Sequence, residues 1–144
     1  MRATAEPIAM VTVGTHEELL DRIRREGAYG TREQAEDALH IVLSGLARQL
    51  PEPERHDLAV RLPSRAGSLL VSQPSAPRTS TGADFVKDIA SRNGTTPDIA
   101  RWDAGSVLTV LAAIAGPELT ARILRRLPYG WALLFGHAEL SRAS

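Results

Sequence analysis

Between Thr15 and Leu50 the apolar positions recur at steps of three and four, the spacing that lines one face of an α-helix. Thr15 stands before Glu17 and Glu18, and Leu19, Leu20 and Ile23 follow. That is an N-cap, an acidic first turn that complements the helix dipole, and an apolar stripe; it predicts a helix over 15–26. Gly27 and Gly30 end it. Thr31, with Glu33 and Gln34 close behind, opens a second helix over about 32–50 in which Ala35, Ala38, Leu39, Val42, Leu43, Leu46 and Leu50 share a face. Pro51 and Pro53 break the chain and restart it at a helix N-terminus, and Leu58 and Leu62 form the stripe of a short third helix that Pro63 stops. A last turn over Ala66 to Val71 completes a first helical unit, residues 15–72, preceded by a flexible arm over 1–14.

Residues 73–82 are poor in apolar side chains and broken by Pro74 and Pro77, so they read as an exposed linker. After it, over 83–137, the pattern begins again, and 138–144 form a tail. Asp84, Phe85, Val86 and Ile89 repeat Glu18, Leu19, Leu20 and Ile23 at an offset of 66. The same offset takes Asp37-Ala38 to Asp103-Ala104, Ile41-Val42 to Val107-Leu108, and Pro51-Glu52 to Pro117-Glu118. After one deletion, Arg61-Leu62-Pro63 matches Arg126-Leu127-Pro128 and Leu69-Leu70 matches Leu134-Phe135. Matched prolines and apolar positions in order are harder to obtain by chance than a shared helical period, which points to an internal duplication. The expected fold is therefore all-α: a compact bundle of two diverged helical units, about seven to eight helices in one domain.

The two units differ. The helix near 97–115 carries Ile99, Trp102, Val107, Leu108, Val110, Leu111 and Ile114 on nearly every side, which predicts a central helix buried all round, with the indole N–H of Trp102 in need of an acceptor. Its counterpart keeps Gln34, Asp37, Ser44 and Arg48 on an outer face.

Glu18-Leu19-Leu20 followed by Ile23, the long helix ending Leu46-Ala47-Arg48-Gln49-Leu50, and the pair Arg61-Leu62-Pro63 and Arg126-Leu127-Pro128 together give a resemblance to a known family. Over about residues 15–136 the chain resembles the bacterial domain-of-unknown-function family 2267, whose all-helical unit is often doubled. The resemblance implies a small helical bundle and brings no established activity, catalytic residue or cofactor.

Composition narrows the classes of function. Basic and acidic residues balance at 17 each, so no global field draws in nucleic acid or an anionic membrane, and partners must be chosen locally. Lys87 is the sole lysine, a bias that with abundant alanine fits a GC-rich bacterial genome. Cysteine is absent, which removes thiolate catalysis and cysteine-ligated metals and fits a cytoplasmic location. The apolar run from Ile8 to Val13 is too short for an export core, and Val107 to Ala115 falls short of the roughly 20 residues that span a bilayer, so no membrane association is expected.

No catalytic constellation is legible. Ser44 and Ser106 lie within helices, and no nucleophile elbow, dinucleotide fingerprint or phosphate loop occurs. His40 with Glu36 and Asp37 is the one spacing that could aim an imidazole and carboxylates at a metal, but the second unit offers Trp102, Asp103 and Ser106 there. Asp37 and Asp103 occupy matched places and read as capping or solvent-facing aspartates rather than a catalytic pair. Neither a cofactor nor a metal is expected. For partners, Arg122, Arg125 and Arg126 form a patch with only Glu118 near to offset it, and Tyr129, Trp131 and Phe135 cluster after Pro128, where Leu133 and Leu134 beside them favour a cap on the core and any exposed part is the best candidate for a partner surface. The favoured class is a helical interaction or scaffold module, regulatory or stress-related, binding an unknown protein or a second copy through Arg122, Arg125, Arg126, Tyr129 and Trp131. Two other classes stand beside it: a small-ligand or metal-binding bundle with unrecognised enzymatic activity around Glu36, Asp37 and His40, and a weak nucleic-acid binder through Arg122, Arg125 and Arg126.

Overall fold

The computed structural model describes residues 12–136, and the regular structure among them is entirely helical. α1 (His16–Glu26) and α2 (Arg32–Gln49) each begin with a reciprocal capping box. Thr15 and Thr31 accept from the N–H groups of Glu18 and Gln34, whose side chains reach back to the cap N–H. Each box satisfies donors that a helix start leaves open, a contribution of about 1 kcal/mol. α3 (Glu52–Ala59) and α4 (Ser64–Ser72) start after Pro51 and Pro63, both in extended conformation.

The segment between Ser72 and Gly82 is largely exposed, as a linker should be, yet it is tied along its length. The Ala76 N–H donates to the Arg48 carbonyl at 2.8 Å, and the Ser80 N–H donates to the Gln49 side chain at 2.7 Å. Buried Arg55 donates to the carbonyls of Leu50 and Gln73 and to the Ser75 hydroxyl. These bonds make it a pinned strap across the end of α2.

α5 (Gly82–Arg92) starts from a Thr81 cap, and its first residue sits against the chain ahead of α7 (Trp131–Leu134). The Gly82 N–H donates to the Tyr129 carbonyl at 2.9 Å, and a Cβ on Gly82 would lie 2.6 Å from the Gly130 carbonyl carbon. Only glycine permits that backbone approach.

α6 (Pro97–Arg126) packs on α1, α2, α3, α5 and α7. It is broken at Gly116, whose φ of 84° lies in the region that favours glycine, with Pro117 immediately after. The Arg61 guanidinium donates to the Ala115 carbonyl, which the break deprives of a helical partner. By length and apolar content α6 could cross a bilayer, but 56% of its most apolar window is buried within the bundle, which accounts for the apolar character as core. α6 is thus central, as expected, but it is not buried all round. Its core stripe in the first turns is made of small residues, Ala100 and Ala104, while Ile99 and Trp102 point away from it and are 53% and 57% exposed. The expected burial of Trp102 is corrected accordingly.

Candidate interaction surface

α1 stops at Gly27, and the chain turns through Ala28, a non-glycine residue at φ 54°. That conformation costs about 1 kcal/mol for an alanine, so neighbouring contacts must hold it. They come from α6. The Trp102 indole N–H donates to the Gly27 carbonyl at 2.9 Å, and the Tyr29 hydroxyl donates to Asp103 Oδ1 at 2.5 Å. Within α6, Ser106 Oγ donates back to the Trp102 carbonyl. Burial pushes the half-buried Asp103 carboxyl above its ordinary range, and the Tyr29 bond opposes that rise. The Tyr29 phenol is pushed well above its ordinary value by burial first and by Asp103 second.

Trp102 is therefore fixed in orientation with its one polar atom satisfied, while more than half of it faces solvent. It lines two open depressions. One, of about 570 Å³, lies between the Gly27–Gly30 turn and Ile99. The other, of about 290 Å³, is bounded by Arg101, Gly105 and Leu133, the last 52% exposed. Asp98 borders both depressions, so the apolar ledge carries charge of both signs at its rim.

The chain belongs to the DUF2267 family. Its family model, described as an uncharacterized conserved protein, matches residues 16–134, which span all seven helices of the described residues from the start of α1 to the end of α7. No curated protein matches.

The positions singled out in this DUF2267 sequence disperse. Arg122 pairs with Asp57 at 2.9 Å and with Glu54 at 3.3 Å, and Arg126 pairs with Glu54 at 3.4 Å, Glu54 itself being only 3% exposed. The arginine patch expected to lack counter-charge is thus compensated from α3, 68 and 72 residues away, too far for any local pattern to show. Arg125 is exposed and has no ion-pair partner among the described residues.

The aromatic cluster divides. Trp131 is fully buried, with its ring against Phe85 and its indole N–H donating to the Ser80 carbonyl at 2.8 Å. It is a core residue, which corrects its reading as a contact residue. Tyr129 is 73% exposed, and Phe135 is buried.

Glu36 Oε2 meets His16 Nε2 at 3.2 Å and Arg65 at 3.1 Å, whereas Asp37 and His40 stand exposed on α2. No three histidine or carboxylate side chains converge on a metal-sized space among the described residues. Tyr29, Ile99 and Leu133 are not among the positions that the sequence marks for contact. A signal existed for Ile99 and Trp102: the stripe through Ala100, Ala104, Val107, Leu108 and Leu111 already fills one helical face, and both residues fall outside it.

Proposed function

We propose that the chain is a protein-interaction module, regulatory rather than catalytic, whose contact surface is centred on Trp102. The observation that carries this reading is a tryptophan 57% exposed although its indole N–H is already bonded inside the fold. Tryptophans seated in a fixed orientation among apolar neighbours are the residues that dominate interface energetics. Ile99 and Leu133 extend the apolar area, and the depressions beside Trp102 accept a partner's apolar side chains. The arginine patch supports a nucleic-acid reading less well, since Arg122 and Arg126 are neutralised by Glu54 and Asp57.

The test replaces Ile99 and Leu133 together by serine, both being exposed, and verifies the fold by circular dichroism. Sedimentation velocity and affinity capture from native extract are run on both chains. The expected result is a complex, with a second copy or another protein, formed by the native chain and lost by the variant. A native chain that stays monomeric and captures the same proteins as the variant would overturn the proposal.

The same surface bears on the inferred duplication. Displaced by 66, α1 (His16–Glu26) falls on α5 (Gly82–Arg92), and Thr15 falls on Thr81, the cap of α5. The break at Gly116 and Pro117 falls where Leu50 and Pro51 end α2. These coincidences support descent of both halves from one helical unit, with two helices fused into α6. On that reading, Trp102 and its neighbours are a specialisation of the second copy.

A further inference from the structure

A second surface lies away from Trp102, between α2, the strap over 73–81 and α5. It is a groove of about 510 Å³, within the range that small-molecule sites occupy. Its walls are fixed before any ligand arrives. The Ala76 and Ser80 N–H groups hold the strap to Arg48 and Gln49, and Arg55 anchors the Gln73 carbonyl. A preformed cleft binds at lower entropic cost than one that must be ordered.

The charges in the groove are unevenly used. Arg92 is spent on Asp88 at 3.0 Å. Arg48, on α2, and Arg78, on the strap, line the groove from different walls, and neither has an ion-pair partner among the described residues. The remaining carboxylate, Asp84, lies in the first turn of α5, where the positive end of the helix dipole offsets it. Ile41 supplies a half-buried apolar surface, with Phe85 and Ile89 beneath.

We propose that this groove binds a small organic anion: a carboxylate or phosphate head held by Arg48 and Arg78, and an apolar body resting on Ile41. Guanidinium groups on two walls suit such a head because each offers forked N–H donors matched to paired oxygens. A purely inorganic ion would leave the apolar floor unused, and a neutral ligand would leave both guanidiniums unmatched.

The experiment titrates the full chain, labelled with nitrogen-15, with benzoate, phenyl phosphate, inorganic phosphate and benzyl alcohol, and follows the amide signals of Gly45, Arg48 and Ser80. Expected are saturable shifts confined to the groove for benzoate or phenyl phosphate, about tenfold tighter than for benzyl alcohol or inorganic phosphate. Arg78→Ala, at an exposed side chain with no ion-pair partner among the described residues, is expected to weaken that binding about tenfold while keeping the dispersed spectrum. Arg48→Gln should do the same; should it fail to fold, Arg78→Ala carries the test alone. Non-saturable shifts, equal affinity for benzyl alcohol, equal affinity for inorganic phosphate, or unchanged binding by Arg78→Ala would each overturn the proposal.

Discussion

Two surface depressions lie at matched places along the chain and differ in the side chain at their centre, Glu36 in one and Trp102 in the other. In the second half, Ile99, Trp102 and Leu133 present an apolar ledge. Positions 66 earlier than the first two hold Glu33 and Glu36, and the position 65 earlier than Leu133 holds Ser68. Around Glu36 the first half builds a site in which His16 is hydrogen-bonded and Arg65 ion-paired to the carboxylate, beside a cavity of about 330 Å³. Around Trp102 the second half builds an exposed indole standing on the Gly27 carbonyl. Helices of one half fold with charged or polar groups where the other has exposed apolar ones, so packing of these helices does not require apolar residues there. Exposed apolar area that the core does not need is what a contact surface would use.

Buried positions follow the contrary rule, and the largest predicted effect tests it. Trp131 matches Ala66, and both are buried. One tryptophan, Trp102, is thus exposed and the other, Trp131, sealed in the core, and each donates its indole N–H to a backbone carbonyl. Trp131→Ala should lose about 3–5 kcal/mol of stability, read as a lowered midpoint in urea unfolding, because the emptied volume lies against Phe85 and the Gly82–Gly130 approach leaves little freedom to collapse. A loss under about 1 kcal/mol would mean that the two tryptophans are not different in kind.

What the sequence made legible was local. Thr15 and Thr31 announced the caps, and Pro51, Pro63 and Gly27 marked ends, because each acts through its own backbone within a few residues. Faces were harder. Periodicity states which residues share a side of α6 but not which side is covered, so it predicts Trp102 inside, where the structure leaves more than half of it exposed, and it leaves Trp131 open as a contact, where the structure seals it in the core. The pairing of Arg122 and Arg126 with Glu54, and of Tyr29 with Asp103, joins residues far apart in the chain and left no spacing to read.

The support beneath Trp102 gives the next effect in size. Tyr29→Phe removes the hydroxyl that donates to Asp103, and a half-buried carboxylate left without its donor should cost about 2 kcal/mol at neutral pH. The pH dependence has a definite sign. Asp103 has a folded-state pKa above its ordinary 3.8, so the stability it contributes is full below that value and is lost as pH rises through the folded one. Tyr29 is likewise raised above 10.0, so its contribution is full below pH 10 and is lost as pH climbs further. Tyr29→Phe should abolish the alkaline loss and enlarge the one on the acid side, whereas Asp103→Asn should remove the acid-side window. Identical stability-against-pH curves for Tyr29→Phe and the native chain would show that the turn before α2 does not rest on this bond.

The smallest effect on stability is expected where the effect on binding is largest. Trp102→Glu gives the second half the residue that its matched position already carries. The indole bond to Gly27 is lost, yet water reaches the turn and the new side chain projects from an exposed place on α6, so the cost should be about 1 kcal/mol. Partner binding should vanish, because a solvated carboxylate would replace the indole among Ile99 and Leu133, and its desolvation opposes any apolar contact. Calorimetric unfolding and sedimentation, run on the same preparation, separate the two quantities. A collapse of stability comparable to that of Trp131→Ala would assign Trp102 to the fold after all. Intact binding with intact stability would move the contact surface elsewhere, leaving the exposed indole without a role and the two depressions different for a reason unconnected with recognition.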